Sequence, residues 1–192
     1  MLAGGGMLTT VAIWWRAWRA EEQGSQIAEF AIALPMLVMV MVAVFDFSGA
    51  FNLKQRLAGS AAATARLGAE QAVSDLSGAA PASVTALRDF AAQSLTAAGV
   101  NDCGLGTAAA NLTGFRKWTF TGSSCAATLV VERQYNYAVV AGGVTVNVQA
   151  TRVTLSYPYQ WRLGRVVLLV APAATFVGPT TLNETSVVPN LS

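Results

Sequence analysis

From Phe30 to Phe45 the chain runs without a single charged residue, and the apolar character resumes after Asp46 and lasts to Phe51. Counted from Ile27 to Phe51 the stretch has 25 residues, about 37 Å of helix at 1.5 Å per residue, enough to cross a bilayer with some tilt. Such a run predicts one transmembrane helix, and a total of 192 residues leaves room for one modest core beside it. Composition agrees, with 54% hydrophobic and only 11% charged residues where a quarter is usual. The 12 basic residues are scattered and the formal net charge is +2. No basic face for nucleic acid is therefore expected.

A carboxylate stands at the mouth of this span. Left buried and unpaired in lipid, Glu29 costs about 2.5 to 3.5 kcal/mol. Cleavage after Gly24 would supply a partner, because it leaves an α-amino group on Ser25, four residues before Glu29 and so one helical turn away on the same face. That amine has a pKa of roughly 7.7 to 8.0 and is largely cationic at neutral pH. It can pair with Glu29 in its own chain or in a neighbour, and the second arrangement fixes helix register. The alternative is a glutamate that merely complements the helix dipole and snorkels to the interface. A conventional secretory signal is cut after its apolar core, and Ser48-Gly49-Ala50 could be read so. That cut would discard the span and leave Glu29 unexplained.

Gly24-Ser25-Gln26-Ile27-Ala28-Glu29-Phe30-Ala31-Ile32-Ala33-Leu34-Pro35 resembles the TadE-like pseudopilins of tight-adherence (Tad, Flp-type) pilus systems. The likeness continues through Asp46-Phe47, Gln55-Arg56-Leu57 and the small-residue run from Ala58 to Arg66, and covers roughly residues 24 to 70. It implies that a prepilin peptidase cuts between Gly24 and Ser25 on the cytoplasmic side. The helix is then retained in the inner membrane, with Glu29 and Phe30 serving assembly and the C-terminal domain extracytoplasmic. The implied partners are the prepilin peptidase, the Tad inner-membrane platform, the major Flp pilin and a second pseudopilin. The charges flanking the span, Arg16 and Arg19 before it and Lys54, Arg56 and Arg66 after it, do not fix its orientation by themselves. Pro35 lies inside the span and favours a kink. Asp46 marks the exit from the membrane, and its pairing with Lys54 or Arg56 would require the helix end to deform.

Beyond the span, Leu53, Leu57, Ala61 and Ala65 recur every four residues, which predicts a helical stalk to about Val73. Gly59, Ala62, Ala63 and Arg66 form a ridge that suits either the chain's own core or a neighbouring helix. Ser77 to Pro81 reads as a break, and Pro81 opens a second helix with Val84, Leu87, Ala91 and Leu95 on one face, ended by Gly99. Period-two, β-branched segments over 118–121, 127–137 and 144–157 predict antiparallel strands, with a turn at Gly142-Gly143 and a closing strand over 180–187. The expected fold class is α+β: an N-terminal transmembrane and stalk helix, a second helix and a small antiparallel sheet, pilin-like. The corresponding division is 1–24 leader, 25–51 membrane helix, 52–77 stalk and 81–192 extracytoplasmic domain. Trp161 to Phe176 is apolar, but its uninterrupted part, Val166 to Ala174, is too short to span. It fits an interfacial or core segment, in contact with membrane or with another subunit.

Cys103 and Cys125 are the two cysteines. In an extracytoplasmic domain they suggest one disulfide closing a loop of about 23 residues, worth roughly 3 kcal/mol; two free thiols are the alternative. The chain has no histidine, which removes the commonest general base and zinc ligand together. Two cysteines alone complete no tetrahedral zinc site, and the glycines form no phosphate-cradling motif. No enzyme activity, metal or cofactor is expected. The competing reading is an uncleaved, singly anchored envelope protein that binds a ligand or a surface through its β domain.

Overall fold

The computed structural model describes residues 7–170 and 180–190, with side chains from Ser25 onward except at 141, 166, 169 and 170. Its first element, α1, is one helix over Met7–Glu70 that passes through Pro35 without interruption. Along the apolar run every residue from Ser25 to Phe45 is exposed except Met39, Val42 and Ala43, and large side chains such as Ile27, Phe30, Ile32 and Phe45 stand 62% to 76% bare. A soluble protein does not leave so much contiguous apolar surface open to water. The most apolar 18-residue window of α1 has no buried residue at all, which separates it from the core helix of a water-soluble domain. The environment that suits it is lipid or other apolar helices.

Above Asp46 the same helix changes character. Leu57, Ala61, Ala65 and Ala69 are buried along one face, while Gly59 and Arg66 point outward. The small side chains on the inner face let α2, Ala82–Ala97, approach closely, and α2 returns Val84, Leu87, Ala91 and Leu95 to the same core. Ser60 and Ser94 share a hydrogen bond of 2.7 Å across this contact. The stalk ends at Glu70, a few residues short of the expected Val73. The reason is a side chain from the sheet: buried Arg133 donates from Nη2 to the carbonyls of Gln71 at 2.8 Å and Ala72 at 3.4 Å. A cation at a helix C-terminus satisfies carbonyls that the helix itself cannot.

Pro81 occupies the N-cap position of α2 and offers no side-chain cap. Asp75 takes over that task from the preceding loop, accepting from the Ser83 amide and the Ser83 hydroxyl, both at 2.8 Å. The Ser83 amide bond in particular holds the Asp75 carboxyl below its ordinary value of 3.8. Its contribution is therefore complete above that value and disappears as pH falls through the lower folded one. Replacing Asp75 by Ala is expected to cost about 1 kcal/mol, as lost caps do. Urea titrations at neutral pH should show that gap, and titrations carried progressively below pH 3.8 should show it closing as the carboxylate protonates.

Five strands follow in a meander of order β1-β2-β3-β4-β5, every neighbour antiparallel. They span Asn111–Gly114, Lys117–Thr121, Thr128–Ala141, Val144–Tyr159 and Thr180–Pro189. Trp118, Phe120, Leu129, Val131, Val153 and Leu155 face the helices and close the core. The Trp118 indole N–H donates to the carbonyl of Ala79 at 3.1 Å, tying the α1–α2 connection to the sheet. Gly142 and Gly143 make the β3–β4 turn with φ of 58° and 81°, a left-handed pair that glycine adopts without a Cβ penalty. The β3–β4 register shifts between Glu132 and Tyr135, and this bulge aims Arg133 at the end of α1. From Tyr137 and Val148 outward the two strands pair only with each other. They form an arm on which Tyr137, Val139, Val140, Val144 and Val146 are exposed.

Candidate functional site at the membrane end of the domain

Gly24 and Ser25 lie inside α1. Glu29, one turn further on, is exposed, as is Phe30. The described chain does not bring Ser25, Glu29 or Phe30 against its own globular domain. They occupy a bare helical rod, so any contact they make is with lipid or with another molecule.

The first place where α1 meets the rest of the chain is Asp46, only 2% exposed. Its carboxylate Oδ2 accepts the amide of Leu163 at 2.5 Å, the first residue of α3, Leu163–Val170. Its backbone carbonyl accepts the Tyr159 hydroxyl at 2.9 Å. Burial, with the nearby Asp46 charge, pushes the Tyr159 phenol above its ordinary value, so it remains a donor at any physiological pH. Tyr159 packs edge-on to Trp161 at 5.1 Å and Trp161 to Phe47 at 5.3 Å. The Trp161 indole N–H donates to Thr180 Oγ1 at 2.8 Å. The result is an aromatic collar where the apolar rod enters the folded domain.

Pairing of Asp46 with Lys54 or Arg56 is not what the structure contains. Lys54 reaches Glu184 on β5 at 3.4 Å, and Arg56 donates to the Ala98 carbonyl at 2.6 Å, beyond the end of α2. An undistorted helix keeps residues eight and ten apart out of reach of one another. The expected segment from Trp161 to Phe176 is helical over Leu163–Val170; its remainder, 171–176, lies outside the described residues.

Cys103 and Cys125 are joined, with Cα atoms 5.2 Å apart. Cys103 sits fully buried in the core, next to Leu105. A tight turn brings them together: Gly122 lies so close to Cys103 that a Cβ there would fall 2.5 Å from the Cys103 carbonyl oxygen. The bridge fastens the loop after α2 to the connection between β2 and β3. Among the described residues no group of three or more acidic or cysteine side chains is arranged to hold a metal ion.

Residues 24–66 match the family of TadE-like proteins. No curated protein and no solved structure matches the chain. The TadE-like segment begins at the glycine before Ser25, takes in the whole exposed rod with Glu29 and Asp46, and ends at Arg66 on the stalk. It therefore unites the part of α1 that the domain leaves bare with the part that the domain covers. The helix and sheet beyond Arg66 fall outside the match. Among the described residues, α1 is the one helix long and apolar enough to cross a membrane, which fits a single-pass anchor.

Asp46 and Tyr159 are the two site residues that sequence reasoning did not join. Asp46 carried a signal, a carboxylate at the end of an apolar run. Its partners Tyr159 and Leu163 lie 113 and 117 residues away in sequence, and no local pattern links them to it.

Proposed function

We propose that this chain is a non-enzymatic minor pilin of a Tad (Flp-type) pilus. It is made as a precursor, cut between Gly24 and Ser25 by a prepilin peptidase, and held in the bacterial inner membrane by residues 25–51. It then joins or initiates the filament through lateral packing of α1 with the helices of the major Flp pilin and a second pseudopilin, on the inner-membrane Tad platform. In this reading Glu29 receives the Ser25 amine and sets the register. The domain from residue 81 onward, carried outside the cytoplasm on the stalk, presents the surface peculiar to this subunit for adhesion or secretion. The observation that carries the reading is the coincidence of the TadE-like match with a helix whose apolar surface the chain itself does not cover. The outward position of Gly59, with no atom within 4 Å of where a Cβ would stand, supports close approach of a second helix on the stalk.

The test is the N-terminus of the membrane-extracted protein from cells carrying the peptidase. Edman or mass-spectrometric sequencing is expected to read Ser25. An intact Met1 or Met7 favours the second reading, an uncleaved anchored envelope protein whose β domain binds a ligand or surface. A start near residue 51 means release by ordinary signal peptidase. The apolar arm with Tyr137, Val140 and Val144 exposed is the feature that favours the second reading, because such patches mark contact surfaces.

A further inference from the structure

Strand β4 and helix α1 run side by side in opposite directions, and their contacts can be followed residue by residue toward the membrane. Thr151 packs on Gly68 so closely that a Cβ on that glycine would lie 2.7 Å from its Cγ2. Tyr157 shares a recess with Asn52 and Leu53. Next come the Tyr159 hydroxyl on the Asp46 carbonyl and the Leu163 amide on the Asp46 carboxylate. The chain leaves the sheet at Tyr159 and re-enters it at Thr180, which pairs with Tyr159. The intervening segment thus starts and finishes at the level of Asp46.

Below that level α1 is bare except at Met39, Val42 and Ala43, which are partly covered. Together with Asp46 they follow i, i+3, i+4, i+7 spacing, one face of the helix. The partly covered residues lie on the membrane side of Asp46, and α3, which starts at the level of Asp46, packs against α1. It carries Val166-Val167-Leu168-Leu169-Val170, and Leu168 remains 48% exposed.

We propose that α3 is a second membrane contact: it dips into the outer leaflet of the bilayer that α1 spans, held against α1 by Asp46. The inference rests on the reading of 25–51 as the anchor and adds a lipid-binding surface to it. Eight helical residues reach about 12 Å, less than half of a hydrocarbon core about 30 Å thick, so α3 enters one leaflet and does not span. α3 packs against α1, whose apolar side chains below Asp46 are bare. Residues 27–45 alone give about 28 Å of helix, which places Asp46 at the outer boundary. The groups at that level suit headgroups: Arg162 and Arg165, both exposed, can reach anionic phosphates, and Tyr159 and Trp161 have the amphipathic rings found at the interface. Asp46 has a structural task there, since its carboxylate caps an amide at the start of α3 that lipid could not satisfy.

The full chain, carrying Leu168→Cys, Val40→Cys or Val140→Cys and an environment-sensitive fluorophore on that thiol, is reconstituted in vesicles of phosphatidylethanolamine and phosphatidylglycerol. The unsubstituted chain gives the labelling background. Val40 reports the span and Val140 the water-exposed arm. The expected result is that Leu168 is quenched by spin labels high on the acyl chains, as Val40 is by deeper ones, and is about tenfold less accessible to aqueous iodide than Val140, as burial in hydrocarbon requires. If Val40 is lipid-quenched while Leu168 follows Val140, the proposal falls and the anchor stands. Leu168 shielded from both quenchers would mean a protein cover and would equally overturn it. If Val40 itself escapes lipid quenching, the anchor reading fails, and this inference with it.

Discussion

Glu29→Gln is expected to leave the protein inserted and folded, yet to reduce its recovery with partner pilins at least about tenfold, the effect of removing one good ion pair worth about 1.4 kcal/mol or more in a low-dielectric site. The separation of the two outcomes follows from the geometry. Glu29 is exposed on the bare rod, and the domain first holds α1 by hydrogen bonds 17 residues further on, at Asp46. The melting temperature of the domain should therefore not move. Glutamine keeps the length and loses the charge, so a defect would be electrostatic in origin. Co-purification of the tagged variant with partner pilins from membranes gives the readout, and normal co-purification would discard the Ser25–Glu29 pairing. Glu29→Asp, which keeps the charge on a shorter stem, should recover part of the loss.

Serine at both Cys103 and Cys125 is expected to remove roughly 3 kcal/mol of stability, the value of a closed loop of this size, with the midpoint of thermal unfolding lower by on the order of 10 °C. The sequence separation of 22 sets the entropic part. The environment adds a second part, because Cys103 is fully buried and serine there places a hydroxyl in a site built for sulfur. Oxidised protein isolated without reductant should weigh two hydrogens less than its reduced form. A wild-type chain lacking that difference would have free thiols and would melt together with the variant.

Much of the architecture was legible in the residues. The Gly142-Gly143 turn, Pro81 at the head of α2 and the four-residue spacing on the stalk are local signals, and each sits where short-range physics puts it. β1 escaped because Asn111-Leu112-Thr113-Gly114 has neither alternation nor a run of branched residues; it is a strand because β2 pairs with it. The end of the stalk escaped because Arg133, which caps it, comes from a bulge more than 60 residues later. Of the candidate site, the processing segment and Glu29 stood out in the sequence because charge in an apolar run is conspicuous. The collar around Asp46 did not, since its hydrogen-bond partners belong to the far end of the chain.

That last point governs the order in which the molecule can be built. The rod and stalk are synthesised first, but the strands that cover the stalk, β4 and β5, are synthesised last, and Lys54 waits for Glu184. Contacts so distant in sequence form slowly. Until Thr180–Pro189 has been made, α2 alone can cover the alanine face of α1, so synthesis must be nearly finished before the domain can close. A nascent chain stalled earlier would be open, an easy substrate for proteases.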